Sequence, residues 1–429
     1  MSRPGATQDS RRAVSLRTAV FALCFGNAVQ WYDFALYGAF ATVIGPVFFP
    51  AQDPSIAMLA AFATYGTALV VRPVGALLFG RMADALGRRK VLVPLILIMS
   101  GATAAVGVLP GYAAIGISAP VALISLRAVQ GLASGGELGV AAVIILEAAP
   151  GRRRGELTSW HTSTVALGLA SGMAVGALLL LVEQSDPSET GWWRLGFILA
   201  LPLGVVGRFI RRRVNESSQF LATSQAGQSV KQPISMLWAN HRLSLFRGFA
   251  LIAAGSLAFN TFFIFMPNHV AATTDLDVVS TLSVSAAALG ITVIAAVALG
   301  RVSDVKGRRP VAKASVVALA LLAAPISVLA GTSRLGLLIS QLIIGVVIAG
   351  VLLLAMVGEL FPTPLRSTGV SMTAGLATAL IGGTAPVIDQ ILVTTLNLTV
   401  APGIYVSLVA LLALVALWRW PETAFRPLV

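Results

Sequence analysis

The chain has 429 residues, 57% hydrophobic and only 11% charged, with a net charge of +13 and a mean hydropathy of +0.87. Soluble domains carry about a quarter charged residues, so this composition is that of a polytopic membrane protein. One cysteine, Cys24, excludes an intramolecular disulfide, three scattered histidines make a metal site untenable, and no Gly-rich phosphate loop provides for ATP.

Spanning the roughly 30 Å apolar layer takes about 20 residues of helix, and continuous apolar runs without short alternation argue against a barrel of strands. The runs predict twelve helices at 18–45, 56–80, 91–110, 117–146, 157–182, 193–210, 247–270, 280–300, 311–331, 335–357, 368–390 and 400–420. The fold class expected is an all-α membrane protein. Arg11, Arg12 and Arg17 precede the first run as they would precede a secretory signal, but the run is too long, and it reads as a retained first helix.

That first helix carries Asn27, Gln30, Asp33 and Tyr37 at steps of three, three and four, one polar stripe in an apolar segment. Arg72 stands inside the second helix. In the fourth, Arg127, Gln130, Ser134 and Glu137 form a second stripe, beside a ridge of Gly131, Gly135 and Gly139 suited to close helix contact; Gly168, Gly172 and Gly176 repeat that ridge in the fifth. A charge at the centre of a membrane helix costs at least ~2.5 kcal/mol, so Asp33, Arg72, Arg127 and Glu137 must face partners or water. Asp33 is the first candidate to carry a proton and Glu137 the second, with pairing to arginine as the alternative for each. Arg127 and Arg72 suit an anionic cargo. Tyr37, Gln30, Asn27, Gln130, His161, Asn260 and Gln341 are candidates to line the cavity or to bond between helices. Asp389, at the end of the eleventh run, is expected to be solvated.

An internal repeat divides the chain. "GRMADALGRRK" from Gly80 and "GRVSDVKGRRP" from Gly300 share six residues in register 220 positions apart, and Glu147, Pro150 and Arg154 recur as Glu359, Pro362 and Arg366 at an offset of 212. Two pseudo-symmetric six-helix bundles follow, 18–210 and 247–420, with a tail at 1–17, a linker at 211–246 and a tail at 421–429. Arg194 and Arg334 are the only basic residues in one set of loops. Apart from Arg72 and Arg127, every other lysine and arginine lies on the opposite side, which is therefore expected to be cytoplasmic and to hold both termini. The charge surplus thus reflects topology and not nucleic-acid binding.

On that basic side, Asp84 and its counterpart Asp304 end helices where a carboxylate can accept from a neighbouring helix N-terminus, while Arg88, Arg89, Arg308 and Arg309 can pair with acids or lipid phosphates. Together with Gly80, Gly87, Glu147, Arg154, Glu359 and Arg366 they are expected to latch an inner gate.

The first repeat copy, and Pro421-Glu422-Thr423 after the twelfth helix, resemble the major facilitator superfamily. "GNAVQWYDFALYG", "RPVGALLFGRMADALGRRK" and "RAVQGLASGGELGVAAVIILEAAPGRRRGELTSW" are similar to its metabolite:proton symporters, which include permeases for α-ketoglutarate, citrate, shikimate and proline or betaine. Members of that branch usually carry Glu where this chain has Gln30. The resemblance implies proton-coupled symport of a small organic acid by alternating access, with the proton as coupling ion and no other cofactor. A monomer in a bacterial inner membrane is expected. Uptake of a zwitterionic osmolyte, and efflux, are the alternatives; an enzyme is not expected, since no catalytic constellation assembles.

Overall fold

The structure, a computed structural model, describes residues 5–86, 88–185, 191–211 and 233–428, and among them every regular element is helical. The twelve long helices are α1 (Gly5–Ala39, continued as Ala41–Phe48), α2 (Pro54–Val70 and Arg72–Leu86), α3 (Arg88–Val108), α4 (Ser118–Ala148), α5 (Arg154–Ser185), α6 (Trp193–Ile198 and Ala200–Arg211), α7 (Arg242–Asn260, Thr261–Phe265 and Met266–Thr273), α8 (Val278–Lys306), α9 (Arg308–Ala330), α10 (Arg334–Val351 and Leu354–Gly358), α11 (Thr363–Ala377, Thr378–Gly382 and Ala385–Leu396) and α12 (Ala401–Trp418). Ten spans among the described residues are long and apolar enough to cross a membrane, and the chain is a multi-pass membrane protein.

Several boundaries differ from those expected. Helix α1 begins at Gly5 instead of residue 18, because nothing between them breaks a helix. Helix α7 begins at Arg242, a turn before the apolar run, and a short helix, Pro233–Asn240, occupies the end of the linker. Beyond α12 the chain is not a free tail: Trp420, Thr423 and Ala424 are buried.

Prolines set the interruptions. Pro73 has no N–H to offer the carbonyl of Leu69, and the N–H of Val71 turns back to that oxygen, breaking α2 just before Arg72. In α7 the π-helical turn Thr261–Phe265 ends one residue before Pro267, separated from it by Met266, and the side chain of Asn268 donates to the carbonyl of Ile264 at 2.9 Å. In α11 the turn Thr378–Gly382 precedes Pro386, with the N–H of Gly383 bonded to the carbonyl of Thr378 at 2.7 Å.

Small residues set the approach of helices. A Cβ on Gly131 would collide with the carbonyl of Ala68, and one on Gly135 with that of Arg72, so α4 lies against α2 backbone to backbone. On the other side of the bundle Gly168 and Gly172 let α5 approach α1 at Ala28, Tyr32 and Ala35. The halves meet mainly where α5 lies along α8, and also where α2 and α4 meet α11. These contacts carry Asp33, Arg72 and Arg127 into the interior of the assembly.

Candidate functional site

Arg72, Arg127, Arg308 and Arg366 are among the largest fully buried side chains. A buried guanidinium needs partners. Following those partners outlines two clusters, one inside the helix bundle and one on the basic face.

Inside, Asp33 of α1 and Arg127 of α4 form an ion pair at 2.9 Å, with side chains 1% and 0% exposed. Gln130, one turn beyond Arg127, donates to the other carboxylate oxygen at 2.9 Å and accepts from Arg127 at 2.8 Å. Its amide nitrogen also reaches the hydroxyl of Thr103 on α3 at 2.9 Å. The two polar stripes therefore face each other, and one carboxylate holds α1 against α4.

Aromatic faces line the rest. The guanidinium of Arg127 lies over Tyr37 at 4.4 Å, Phe34 at 4.8 Å and Tyr65 at 5.8 Å, while Arg72 lies over Phe34 at 4.7 Å and Trp31 at 5.1 Å. Ring faces carry negative potential, so they stabilise a desolvated cation. Arg72 also donates from Nε to Ser134 at 3.1 Å. Arg127 uses one nitrogen for both of its partners. Its Nε and Nη2, the edge that receives a carboxylate side-on, are buried without a hydrogen bond, as are both amide atoms of Gln30, one turn from Asp33.

The remaining candidates bind helices together. Asn27 donates to the carbonyl of His161 and the hydroxyl of Thr164, both at 3.0 Å, fixing α1 to α5. The ring of His161 is buried in α5 and neither nitrogen has a partner. Gln341 bonds the carbonyl of Phe262 and the hydroxyl of Ser285, joining α10 to α7 and α8. Asn260 accepts from Tyr65 at 2.7 Å, a bond from α2 to α7 across the two halves. For Glu137 the description extends to the helical backbone of α4 alone, and its expected role lies outside it.

Trp31, Phe34, Tyr65 and Thr103 escaped the sequence reading, since an aromatic or threonine in an apolar helix leaves no periodic signal. Asp389 corrects it: far from solvated, the side chain is fully buried and accepts from Thr261 at 2.7 Å. Helix α11 runs to Leu396, a turn and a half beyond the expected end, which moves Asp389 inside.

On the basic face the second repeat copy is at work. Asp304 of α8 accepts from the N–H groups of Gly155 and Glu156 at 2.9 and 2.8 Å, capping α5 of the opposite half. Arg308 pairs with Asp304 at 2.8 Å and reaches Glu359 at 3.4 Å, and Arg366 of α11 pairs with Glu147 of α4 at 2.9 Å. Gly155 and Gly300 let α5 and α8 touch: a Cβ on either would lie 2.6 Å from the carbonyl of the other. Arg154 donates to the carbonyl of Arg426 at 2.9 Å, tying the chain end to the N-terminal half. Arg309 points away from the seam and donates to the carbonyl of Trp418. Gly87 lies outside the described residues, and for Gly80, Asp84, Arg88 and Arg89 the description extends to the helical backbone alone.

Glu422, unforeseen as a participant, caps α9. Burial raises its carboxyl, but the N–H groups of Ala424, Arg308, Arg309 and Thr423 outweigh that and hold it below the ordinary glutamate value.

Two six-helix halves sealed around a buried ion pair invite comparison with known carriers. The chain is 32% identical over 426 residues to the proline/betaine transporter of Salmonella typhimurium, covering 96% of this chain and 85% of the relative. It is 30% identical to the α-ketoglutarate permease of Escherichia coli, over 95% and 93% of the two chains. To the citrate-proton symporter of Klebsiella pneumoniae it is again 30% identical, over 93% and 90%. A crystal structure of a D-xylose-proton symporter superposes with a TM-score of 0.75 over 96% of this chain and 99% of that one, at 17% identity, a likeness of fold. The profile of the Major Facilitator Superfamily matches residues 23–386, and with relatives and fold in agreement the chain belongs to that superfamily of membrane transporters.

Proposed function

We propose that the protein is a proton-coupled symporter that takes up a small organic acid, with Arg127 receiving the cargo's carboxylate and Asp33 exchanging the proton. The observation that carries this reading is the free side-on edge of Arg127, held beside an acid that already occupies the guanidinium's remaining nitrogen. Protonation of Asp33 removes the counter-charge from Arg127. A buried cation cannot remain uncompensated, so a cargo carboxylate then has a reason to enter. Loss of the proton restores the pair and expels the anion. Gln130, bonded to both members, can follow either state, and Gln30 offers an amide to the cargo.

The relatives support both coupling and cargo, since one is named a citrate-proton symporter and another an α-ketoglutarate permease. The rings of Trp31, Phe34, Tyr37 and Tyr65 favour a second reading, a zwitterion such as proline or betaine, whose cationic end suits aromatic faces and which the first relative's name includes. Both cargoes bring a carboxylate to Arg127. The basic loops favour a cytoplasmic side for the face of Asp304 and Arg366, with both termini.

Uptake by purified protein in lipid vesicles, over a panel of organic acids, zwitterionic osmolytes and cationic drugs with and without an inward proton gradient, tests the assignment. The expected outcome is gradient-driven accumulation of an organic acid. Asp33→Asn then loses accumulation while retaining exchange, because the amide mimics the protonated acid; Arg127→Ala loses both, and Arg127→Lys restores little because an ammonium lacks the fork. Accumulation of osmolytes alone selects the second reading. Accumulation driven by an outward proton gradient indicates efflux and overturns both.

A further inference from the structure

The buried acid of the C-terminal half has no part in that scheme. Asp389 is fully buried, one oxygen, Oδ2, lies 2.7 Å from the hydroxyl of Thr261, and the other, Oδ1, has no partner. Among the described residues no arginine, lysine or histidine makes an ion pair with it. Its helix, α11, packs here against α2, α7 and α12. Those helices bring Tyr65 on α2, with Arg72 two turns further along the same helix and bonded to Ser134, Tyr405 on α12, and on α7 His269, stacked on Phe265 two turns past Thr261, with Arg242 and Arg247 at the far end. An ionised carboxylate with one hydroxyl partner and no counter-ion is among the costliest groups to bury. The neutral acid resolves this. Its O–H can donate to Thr261 along the same 2.7 Å line, leaving Oδ1 as an uncharged carbonyl.

We infer that Asp389 is a second proton-binding site, loaded in this closed conformation and emptied when α2 and α11 part. The position of the site supplies the route. A Cβ on Gly66 of α2 would lie 2.7 Å from the carbonyl of Gly383 of α11, so backbone contact seals the halves a turn and a half from Asp389. Thr261, its only partner, follows Asn260, which holds Tyr65 of α2 across the same seam, and both residues lie at the π-helical turn of α7. Separating the halves breaks the bond from Tyr65 to Asn260, frees the turn that presents Thr261, and admits water to the carboxyl. The proton then leaves to water and the anion is solvated. On reclosure a proton must be taken up again.

This inference rests on the proton-coupled reading, but its first test does not. Infrared spectra of the purified protein in lipid vesicles at neutral pH read the C=O stretch of protonated carboxyl groups. The difference between parent and Asp389→Asn is expected to show the loss of one such component, which Asp33→Asn retains. Thr261→Val, which keeps the acid and the side-chain shape, is expected to shift that component's frequency, and it decides the matter if Asp389→Asn fails to insert. Identical spectra for the parent and whichever variant inserts would mean an ionised or solvated Asp389 and overturn the inference. In transport, an Asp33→Asn background, which retains exchange, is expected to show counterflow that slows as the pH of both faces is raised, because every reclosure takes up a proton at Asp389. Adding Asp389→Asn is expected to abolish that dependence; a dependence unchanged by the second substitution would also overturn the inference. A parent that exchanges cargo yet never accumulates it with a proton gradient refutes the symport reading alone, leaving the infrared result to stand by itself.

Discussion

A single nitrogen of Arg127 serves both Asp33 and Gln130 while Nε and Nη2 make no hydrogen bond, the geometry on which the proposed exchange of one anion for another rests. The contrast with Arg366 is instructive. That guanidinium, on the basic face, closes on Glu147 and on the carbonyl of Phe361, an arrangement for holding and not for exchange. Glu422 is a third kind of charged residue, one whose partners are all backbone N–H groups of a helix start and of its own turn. Because its folded-state value lies below the ordinary 4.5, its stabilising contribution is complete above that value and disappears as pH falls through the lower folded one. Glu422→Gln is expected to lower the thermal midpoint in detergent at pH 7, with the deficit against the parent shrinking below pH ~4.5. A deficit independent of pH would mean that packing, and not the charge, is what the carboxylate contributes.

Among elements, α7 and α11 share a device: a π-helical turn placed just ahead of a proline, each with a polar side chain at its edge. Pro267 fixes where α7 can bend, so Pro267→Ala, which restores the missing N–H, is expected to stabilise the helix by ~3 kcal/mol at most and to slow the carrier cycle while leaving cargo affinity within about twofold. Counterflow rate and equilibrium binding measure the two separately; an unchanged rate would remove the turn from the cycle. How much of this could be read beforehand depends on contrast. Asp33, Arg127 and Gln130 were legible because polar groups at helical spacing stand out against leucine and alanine, and the glycine ridges because they repeat every fourth residue. Phe34 and Tyr65 were not, because an aromatic facing a guanidinium and one facing lipid look the same in a hydrophobic run. Asp389 was misplaced for a further reason: it stands at the end of the apolar run, whereas the helix continues past that run to Leu396.

At the scale of the molecule, closure on the basic face rests, among the described residues, on bonds that join the halves: Asp304 at the start of α5, Arg301 with Glu156, Arg366 with Glu147, and Arg154 with the chain end. Breaking a buried pair by neutralising one partner costs about 3–5 kcal/mol, and each ~1.4 kcal/mol shifts a two-state ratio tenfold. In a Cys24→Ser background, a cysteine at Ser159, which packs against Gly300, is expected to react slowly with a membrane-impermeant thiol reagent. Adding Glu147→Gln is expected to raise that rate at least tenfold, and only when the reagent is supplied from the cytoplasmic side. Acceleration from the opposite side would reverse the orientation, and none at all would make Glu147 a bystander.

The ion pair of Asp33 and Arg127 also has an electrical meaning. With one positive and one negative group locked together, the unloaded pair contributes no net charge, so the membrane potential does no work on it as the empty carrier resets. Voltage acts instead on the loaded crossing, at about 2.3 kcal/mol per charge per 100 mV. A monocarboxylate with one proton would cross silently. A zwitterion with one proton would carry a unit of positive current, making the cell's negative interior a second source of accumulation.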